Sequence, residues 1–491
     1  MEGENTAKEI LDHTDEAVPH WESWLPEEEA CVRRQLDWRL LPLLTIQYML
    51  CFLDRWVTGW IENARIQGMQ KDLDLVGFRF NWALTVFYIP YLLVEIPSNV
   101  LLKRIGPKIY IPAMIVSFGI VSMGTAFVQS FPGLCVARAF LGLTEGGTMP
   151  GMAFFMSCFY KRNELLFRVG LLASAALFAG AFGGFLAAAL SRIPEWGTKG
   201  SEVHTWRNIF FFEGAITVGL GVWGYFLMPD SPQTCMFLSG RERWIAAERI
   251  RIEHKELTRE QTELWHVKRA ILNVNNVICC MGFFCTNITV QSFSLFLPTI
   301  LNALGWRATK AQLLTVPPYL VGCCFSICIA WLSDRYRKRG IFVLVCTVLT
   351  LTGYCILVSV DEANVKYGAV FFAASGAFPL GPAFLSWGLN NAAGPSIRAI
   401  TGAYIVSVGT CGAILATWTY IPSDAPNYTR GHSINLGGQI GAALMGILGI
   451  LYIRRENTFR ERGGREHRLT GLVGEQVHKL GYRHPEFRYM E

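Results

Sequence analysis

Apolar residues in this chain do not alternate with polar ones. They collect into twelve long, nearly charge-free runs, near 41–60, 81–101, 109–128, 133–156, 167–190, 208–228, 271–300, 312–333, 341–359, 368–390, 400–421 and 434–453. Each matches the ~20 residues a helix needs to cross the hydrocarbon of a bilayer. The pattern predicts an all-α membrane protein of twelve transmembrane helices. The polar remainder divides the chain into a cytoplasmic tail (1–38), a six-helix bundle (39–228), a charged central loop (229–270), a second six-helix bundle (271–454) and a second cytoplasmic tail (455–491). No signal peptide precedes the first run, which is expected to target the chain itself.

Spacing adds a repeat. KRIGPK at 103–108 follows the second run and SDRYRKR at 333–339 follows the eighth, so Arg104 and Arg335 stand 231 positions apart. The same offset carries the start of the first run onto the start of the seventh. Two pseudo-symmetric six-helix halves are a transporter architecture, with the substrate site at mid-depth between them. In the central loop, SGRE at 239–242 and TREQ at 258–261 fit capping boxes and predict short helices. The stretch ERWIAAERIRIEHK between them has the apolar spacing of a surface helix. Small residues four apart (Gly142 and Gly146, Gly437 and Gly441) predict close helix packing.

Composition agrees and changes the picture little. Of 491 residues 52% are hydrophobic and 17% charged. The net charge is +6, and most of the 44 Lys and Arg fall on the side of the termini, although the short loops alone are nearly balanced. Basic residues favour the cytoplasmic face, so both termini are expected there and the charge is assigned to topology, not to nucleic acid. The 14 Cys read as small buried apolar residues, without metal-ligand spacing. There is no catalytic motif, and GLGVWG at 219–224 lies inside a predicted membrane helix. The chain is therefore read as a non-enzyme without cofactor or metal. Its expected partners are a small solute, protons and lipid, and it is expected to act as a monomer.

The few ionisable residues within runs are the candidate chemistry, because a charge at mid-membrane costs ~2.5–3.5 kcal/mol on insertion scales. They are Asp54, Arg55, Glu95, Arg138, Glu145 and Glu213; the second half offers Asn287, Gln291, Asn390 and Asn391. In VARAFLGLTEGGTMPG (136–151), Arg138 and Glu145 project from one face, ~10 Å apart along the axis. Gly142 and Gly146 share that stripe and are read as leaving room beside the charges. A guanidinium binds a carboxylate bidentately, and a carboxyl in a partly dry cavity takes up a proton more readily. Arg138 is thus an anion candidate and Glu145 the leading proton candidate, followed by Glu95 and Asp54. An interhelical ion-pair network is the plain alternative. Glu213 reads as a structural partner. All nine His fall in predicted tails or loops, which leaves carboxylates as the proton carriers.

These motifs resemble the major facilitator superfamily and, within it, the anion:cation symporter family, especially its fungal allantoate-permease-like branch. The resemblance rests on FLDR (52–55), PSNVLLKRIGP (97–107), RAFLGLTEGGTMPG (138–151), WRNIFFFEG (206–214), FLPTILNALGW (296–306), SDRYRKR (333–339) and SDAPNYTRGHSINL (423–436). It implies the major facilitator fold and proton-coupled symport of a small organic anion by alternating access, a carboxylate such as allantoate, nicotinate or pantothenate. It adds Arg55 to Arg138 as an anion-binding residue, beside Asn287, Gln291 and Asn390 from the second half. It makes Lys103, Arg104, Gly106, Asp334 and Arg335 gating candidates, with anchoring to lipid headgroups as the alternative. DRWVTGWIENAR (54–65) is three residues longer than the branch's pattern, which puts inherited substrate choice in doubt. Export of a secondary metabolite and a non-transporting nutrient receptor are the alternative functions. The plasma membrane is the expected location, and Asn427 begins a glycosylation sequon.

Overall fold

The computed structural model describes residues 23–491 apart from 56–67, 162–163, 165–167, 169–170, 172–174, 176–177, 181, 184, 187–188, 198–202, 204, 258–263, 307, 337, 394 and 470–479. Long helices dominate, and among the described residues eight are long and apolar enough to cross a membrane. The first six spans are Pro26–Arg55, Arg79–Ile105, Pro107–Thr125, a divided fourth, a fifth described in part between 164 and 190, and Thr205–Leu227. The other six are Val274–Ala303, Ala308–Tyr336, Arg339–Ser359, Ala363–Asn390, Pro395–Ala416 and Thr429–Glu461. Spans two, three and four begin at Arg79, Pro107 and Phe131, and spans eight, nine and ten at Ala308, Arg339 and Ala363, close to the predicted 231-residue offset.

Several boundaries moved for identifiable reasons. The first span begins at Pro26, well before residue 41, because its polar first turns find partners on the bundle. Arg168 grips Asp37 with two 2.6 Å bonds, and Arg241 pairs with Glu28 at 2.8 Å. The fourth span breaks into Phe131–Glu145 and Thr148–Phe159. Pro150 has no N–H to donate to the carbonyl of Gly146 four residues earlier, so the ladder is interrupted there.

The predicted surface helix is present as Gly240–Leu257. Its capping box forms: Ser239 N–H donates to Glu242 Oε2 at 2.8 Å, and Glu242 N–H to Ser239 Oγ at 3.4 Å. The second capping box, 258–261, lies outside the described residues. Ile245 and Ala246 are buried against the first half, and Arg249, 1% exposed, donates to the Phe159 carbonyl at 2.7 Å and faces Glu164 at 3.3 Å.

Where the two halves touch is decided by their apolar cores. One cluster joins them at the end away from the termini, with Leu50, Leu53, Phe80 and Leu84 of the first half beside Phe293, Phe296 and Tyr420 of the second. Toward the terminal end the core separates. Leu36, Tyr110, Ile115 and Met152 belong to a first-half cluster, reaching the second half at Ala413 and Ile414. Cys279, Val343, Phe384 and Trp387 belong to a second-half cluster. At the far end Asn81 Nδ2 donates to the Thr417 carbonyl at 2.6 Å, and Trp418 Nε1 donates to Thr85 Oγ1 at 3.0 Å. Each described ion pair lies within one half and the segments packed on it. Among the described residues the halves share a core and side-chain hydrogen bonds at the far end, and their cores separate toward the terminal end.

Candidate functional site

The fourth span positions the two charges singled out by the sequence. Ser130 caps it, its hydroxyl accepting from Gly133 N–H. Leu134, Arg138, Leu141, Gly142 and Glu145 form its buried face. Arg138 and Glu145 are each 1% exposed, so neither stands open to water in this conformation. The Arg138 guanidinium lies 6.0 Å from the centroid of Phe210 on the sixth span, a cation–π approach. Glu213, 1% exposed, follows one turn after Phe210. Arg138, Glu145 and Glu213 are thus all buried within the first half.

The glycines beside them do not leave room. A Cβ on Gly142 would stand 2.1 Å from the Phe87 carbonyl oxygen, and one on Gly146 2.6 Å from that of Tyr91. At Gly147 an added Cβ would overlap Ser98, whose hydroxyl bonds Tyr110. The expected space is filled by the backbone of the second span. Helix spacing put the glycines on the same stripe as the charges, but only the neighbouring span decides whether a glycine faces a cavity or a helix.

The other candidates are placed as follows. Asn287 is half-buried and donates to the Gly409 carbonyl at 2.6 Å, tying the seventh span to the eleventh. Gln291 is half-buried one turn further on. Asn390 is the final residue of its span and bonds Met490 Sδ at 3.5 Å, away from mid-depth. Arg104 and Arg335 are exposed at the terminal end, Arg335 lying 5.5 Å over Trp331. Gly106 has φ +90°, which favours glycine, and makes the tight joint between the second and third spans. Asn427 is exposed in the turn before the last span. The side chains of Asp54, Arg55, Glu95, Lys103 and Asp334, and the atypical stretch 56–65, lie outside the described residues.

One expectation is corrected. His432 is not in a loop but in the first turn of the last span, 2% exposed, with Nδ1 3.0 Å from Tyr420 Oη. Asn435 Nδ2 donates to the same hydroxyl at 3.3 Å. The predicted start of the run at 434 followed hydropathy, and the helix gained a further turn because Asp424 Oδ2 accepts from Arg430 and Gly431 N–H. A separate apolar cavity of 640 Å³ lies between the first, fifth and eighth spans, lined by Met49, Phe178, Phe182 and Val316, and does not include Arg138 or Glu145.

The Major Facilitator Superfamily profile matches residues 44–417. The chain belongs to that superfamily. This facilitator is 32% identical over 436 residues to an uncharacterized transporter of Schizosaccharomyces pombe, covering 89% of this chain and 88% of the relative. It is 31% identical to the MFS-type transporter cnsO of Penicillium expansum, covering 93% and 90%. It is 29% identical over 488 residues to the high-affinity nicotinic acid transporter of Saccharomyces cerevisiae, covering 99% and 89%. Among solved structures, a bacterial homolog of the human lysosomal transporter Spinster in an inward-facing conformation superposes with TM-score 0.64 at 14% identity, covering 87% of this chain and 98% of that one. A D-xylose-proton symporter superposes with TM-score 0.62 at 14% identity, covering 84% and 97%. These two likenesses show the fold, and the superfamily match makes this facilitator a secondary transporter embedded in the membrane.

Proposed function

We propose that this facilitator carries a small organic anion together with protons, and that a carboxylate of the nicotinate type is the first substrate to test. The observation that carries the reading is Arg138 and Glu145 buried on one face of the fourth span, in a chain 29% identical to a nicotinic acid transporter. Buried charges in a membrane helix are costly and are retained where they bind or move charge. Glu145, closed from water, suits a proton that moves only when the transporter changes state. Arg138 lies beside Phe210, so the anion reaches it in another step of the cycle, with Arg55 as the second cation. Glu95 and Asp54 are the next proton candidates, and Asn287 and Gln291 the contribution of the second half. Lys103, Arg104, Gly106, Asp334 and Arg335 are the terminal-end latch of this reading, formed in one state of the cycle and released in the other.

We place the protein in the plasma membrane as a monomer with both termini cytoplasmic, so that the present conformation opens inward; Asn427 is then extracellular and open to glycosylation. The test is uptake of labelled nicotinate, allantoate, pantothenate and short-chain acids by expressing cells at acidic and neutral external pH, with Glu145→Gln alongside. Acid-stimulated uptake that loses its pH dependence in the variant supports the reading; an unchanged pH profile removes Glu145 from the proton path. A second reading, export of a larger apolar metabolite, draws on the 640 Å³ apolar cavity. Retention of such a compound by cells lacking the protein would favour it.

A further inference from the structure

The segment 480–491 belongs to the predicted cytoplasmic tail and carries two Arg and two Glu, yet it is held in detail at the terminal end of the second half. Tyr489 N–H donates to Asn457 Oδ1 at 3.0 Å, and Asn457 Nδ2 returns a bond to the Tyr489 carbonyl at 2.9 Å. The next residue is read in the same way. Met490 N–H donates to Asn391 Oδ1 at 2.7 Å, and Asn391 Nδ2 donates to the Met490 carbonyl at 3.1 Å. Trp387 Nε1 donates to that carbonyl at 3.0 Å. Arg460 Nη1 collects the carbonyls of Tyr482, His484 and Phe487 at 3.0, 3.3 and 2.8 Å. Arg454 forks onto the Glu491 carboxylate at 3.1 and 3.3 Å.

An asparagine amide presents an N–H donor and a C=O acceptor side by side, the complement of one residue's backbone C=O and N–H. Two asparagines, Asn457 in the twelfth span and Asn391 just past the end of the tenth, therefore each pair with the N–H and C=O of one residue, recognition through main-chain hydrogen bonds. Side chains supply the selectivity. Tyr489 is 4% exposed in the second-half core, and the Arg460 guanidinium lies 4.8 Å over its ring. Asn391 and Trp387 are both 0% exposed. Without the segment, the polar groups that face it would lose their partners.

We propose that Trp387, Asn391, Arg454, Asn457 and Arg460 form a peptide-recognition groove whose resident ligand is this chain's own segment 480–491. The groove takes an extended peptide with an aromatic residue, then Met, then an acid. Docking ties the inner ends of the tenth and twelfth spans to the turn before the ninth, where Arg339 N–H donates to the Glu491 carbonyl at 2.5 Å. Arg339 is the last residue of the SDRYRKR stretch, so the docked segment holds the end of the connection that begins beside Arg335.

The test uses the full chain in lipid nanodiscs and needs no substrate. Amide exchange at Tyr489 and Met490 should be at least ~10-fold faster in Asn391→Leu and Asn457→Leu than in the parent protein, since one buried bond of about 1.4 kcal/mol corresponds to that factor. Because a change inside a span can disturb folding, Met490→Pro alters only the segment: it deletes the N–H that Asn391 reads. Trypsin should cut Met490→Pro after Arg483 or Arg488 at least ~10-fold faster than the parent. Equal exchange in the asparagine variants together with equal cleavage of Met490→Pro overturns the proposal.

Discussion

Asn81 of the second span donates to the backbone carbonyl of Thr417 at the end of the eleventh, 2.6 Å away across the division between the halves. Both residues are 0% exposed. Thr85 and Thr417 hydroxyls lie 2.9 Å apart one turn deeper, and Trp418 covers them, edge-on to Trp82 at 5.2 Å. A clasp built from buried polar bonds inside an apolar cluster closes the far end. It is strong while dry and loses little when water replaces its partners, which suits a contact that must break in each cycle.

Asn81→Leu should therefore weaken closure without unfolding the bundle. Losing one such bond costs about 1 kcal/mol, a roughly fivefold shift toward the far-end-open state. Spin labels at Val76 and Ser423, on loops at that end, should show a larger long-distance population. An unchanged distance distribution would remove the clasp from the gate.

Gly142→Ala should be severely destabilising, by about 1–3 kcal/mol or more, because its Cβ meets the Phe87 backbone at 2.1 Å and a backbone cannot rotate away. Gly437→Ala is the control: nothing lies within 4 Å of its Cβ, and helix propensity favours the change. Thermal unfolding in detergent separates the two. Equal midpoints would mean the second and fourth spans are less closely packed than described.

His432→Leu leaves the Tyr420 hydroxyl without its imidazole in a buried position, at a cost of about 1–3 kcal/mol. His432→Gln, which keeps an acceptor, should recover part of it. If instead both variants abolish pH-dependent uptake while stability is unchanged, His432 belongs to the proton path and the carboxylates lose their exclusive claim.

Arg249 is the rivet of the surface helix. Burial pulls its pKa down, opposed by Glu164 and Glu29 nearby, yet it stays a cation. Arg249→Met would strand the Phe159 carbonyl and leave the Glu164 carboxylate with Arg33 and the Lys161 N–H, at a cost of about 3–5 kcal/mol if no water enters. Exchange of the amides of residues 240–257 should accelerate in the variant relative to the rest of the first half.

The cap of that helix carries a pH signature. The Ser239 backbone N–H holds the Glu242 carboxyl below the usual carboxylate range. A depressed folded-state pKa means the stabilisation is present above the unfolded pKa and is lost as pH falls through the folded value. Protection of the first turn of residues 240–257 should fall on acidification, and Glu242→Gln should remove that dependence.

The spans, their order and the repeat were legible because they are properties of runs: a segment long and apolar enough to cross lipid is so whatever its neighbours do. The capping box at Ser239 was legible for a related reason, since its partner lies within a turn. Arg138 and Glu145 could be placed on one face by helix geometry alone. Which surface that face met could not, since Phe87, Tyr91 and Phe210 come from other spans.

The same distinction separates the errors from the successes. His432 looked like a loop residue because hydropathy weighs its window and not Asp424, whose carboxylate starts the helix. The tail 455–491 looked like a plain basic tail because Asn391 and Asn457, which pair with the backbone of Met490 and Tyr489, lie about a hundred and about thirty residues from them. The amino-acid order by itself determined twelve crossings, two related halves and a pair of charges in the fourth span, all set by local hydropathy and helical period. Only the tertiary structure decided which end of the bundle is closed, what fills the glycine stripe and what binds the C-terminal segment. Those depend on atoms distant in sequence meeting at bonding distance, and no one-dimensional pattern records that meeting.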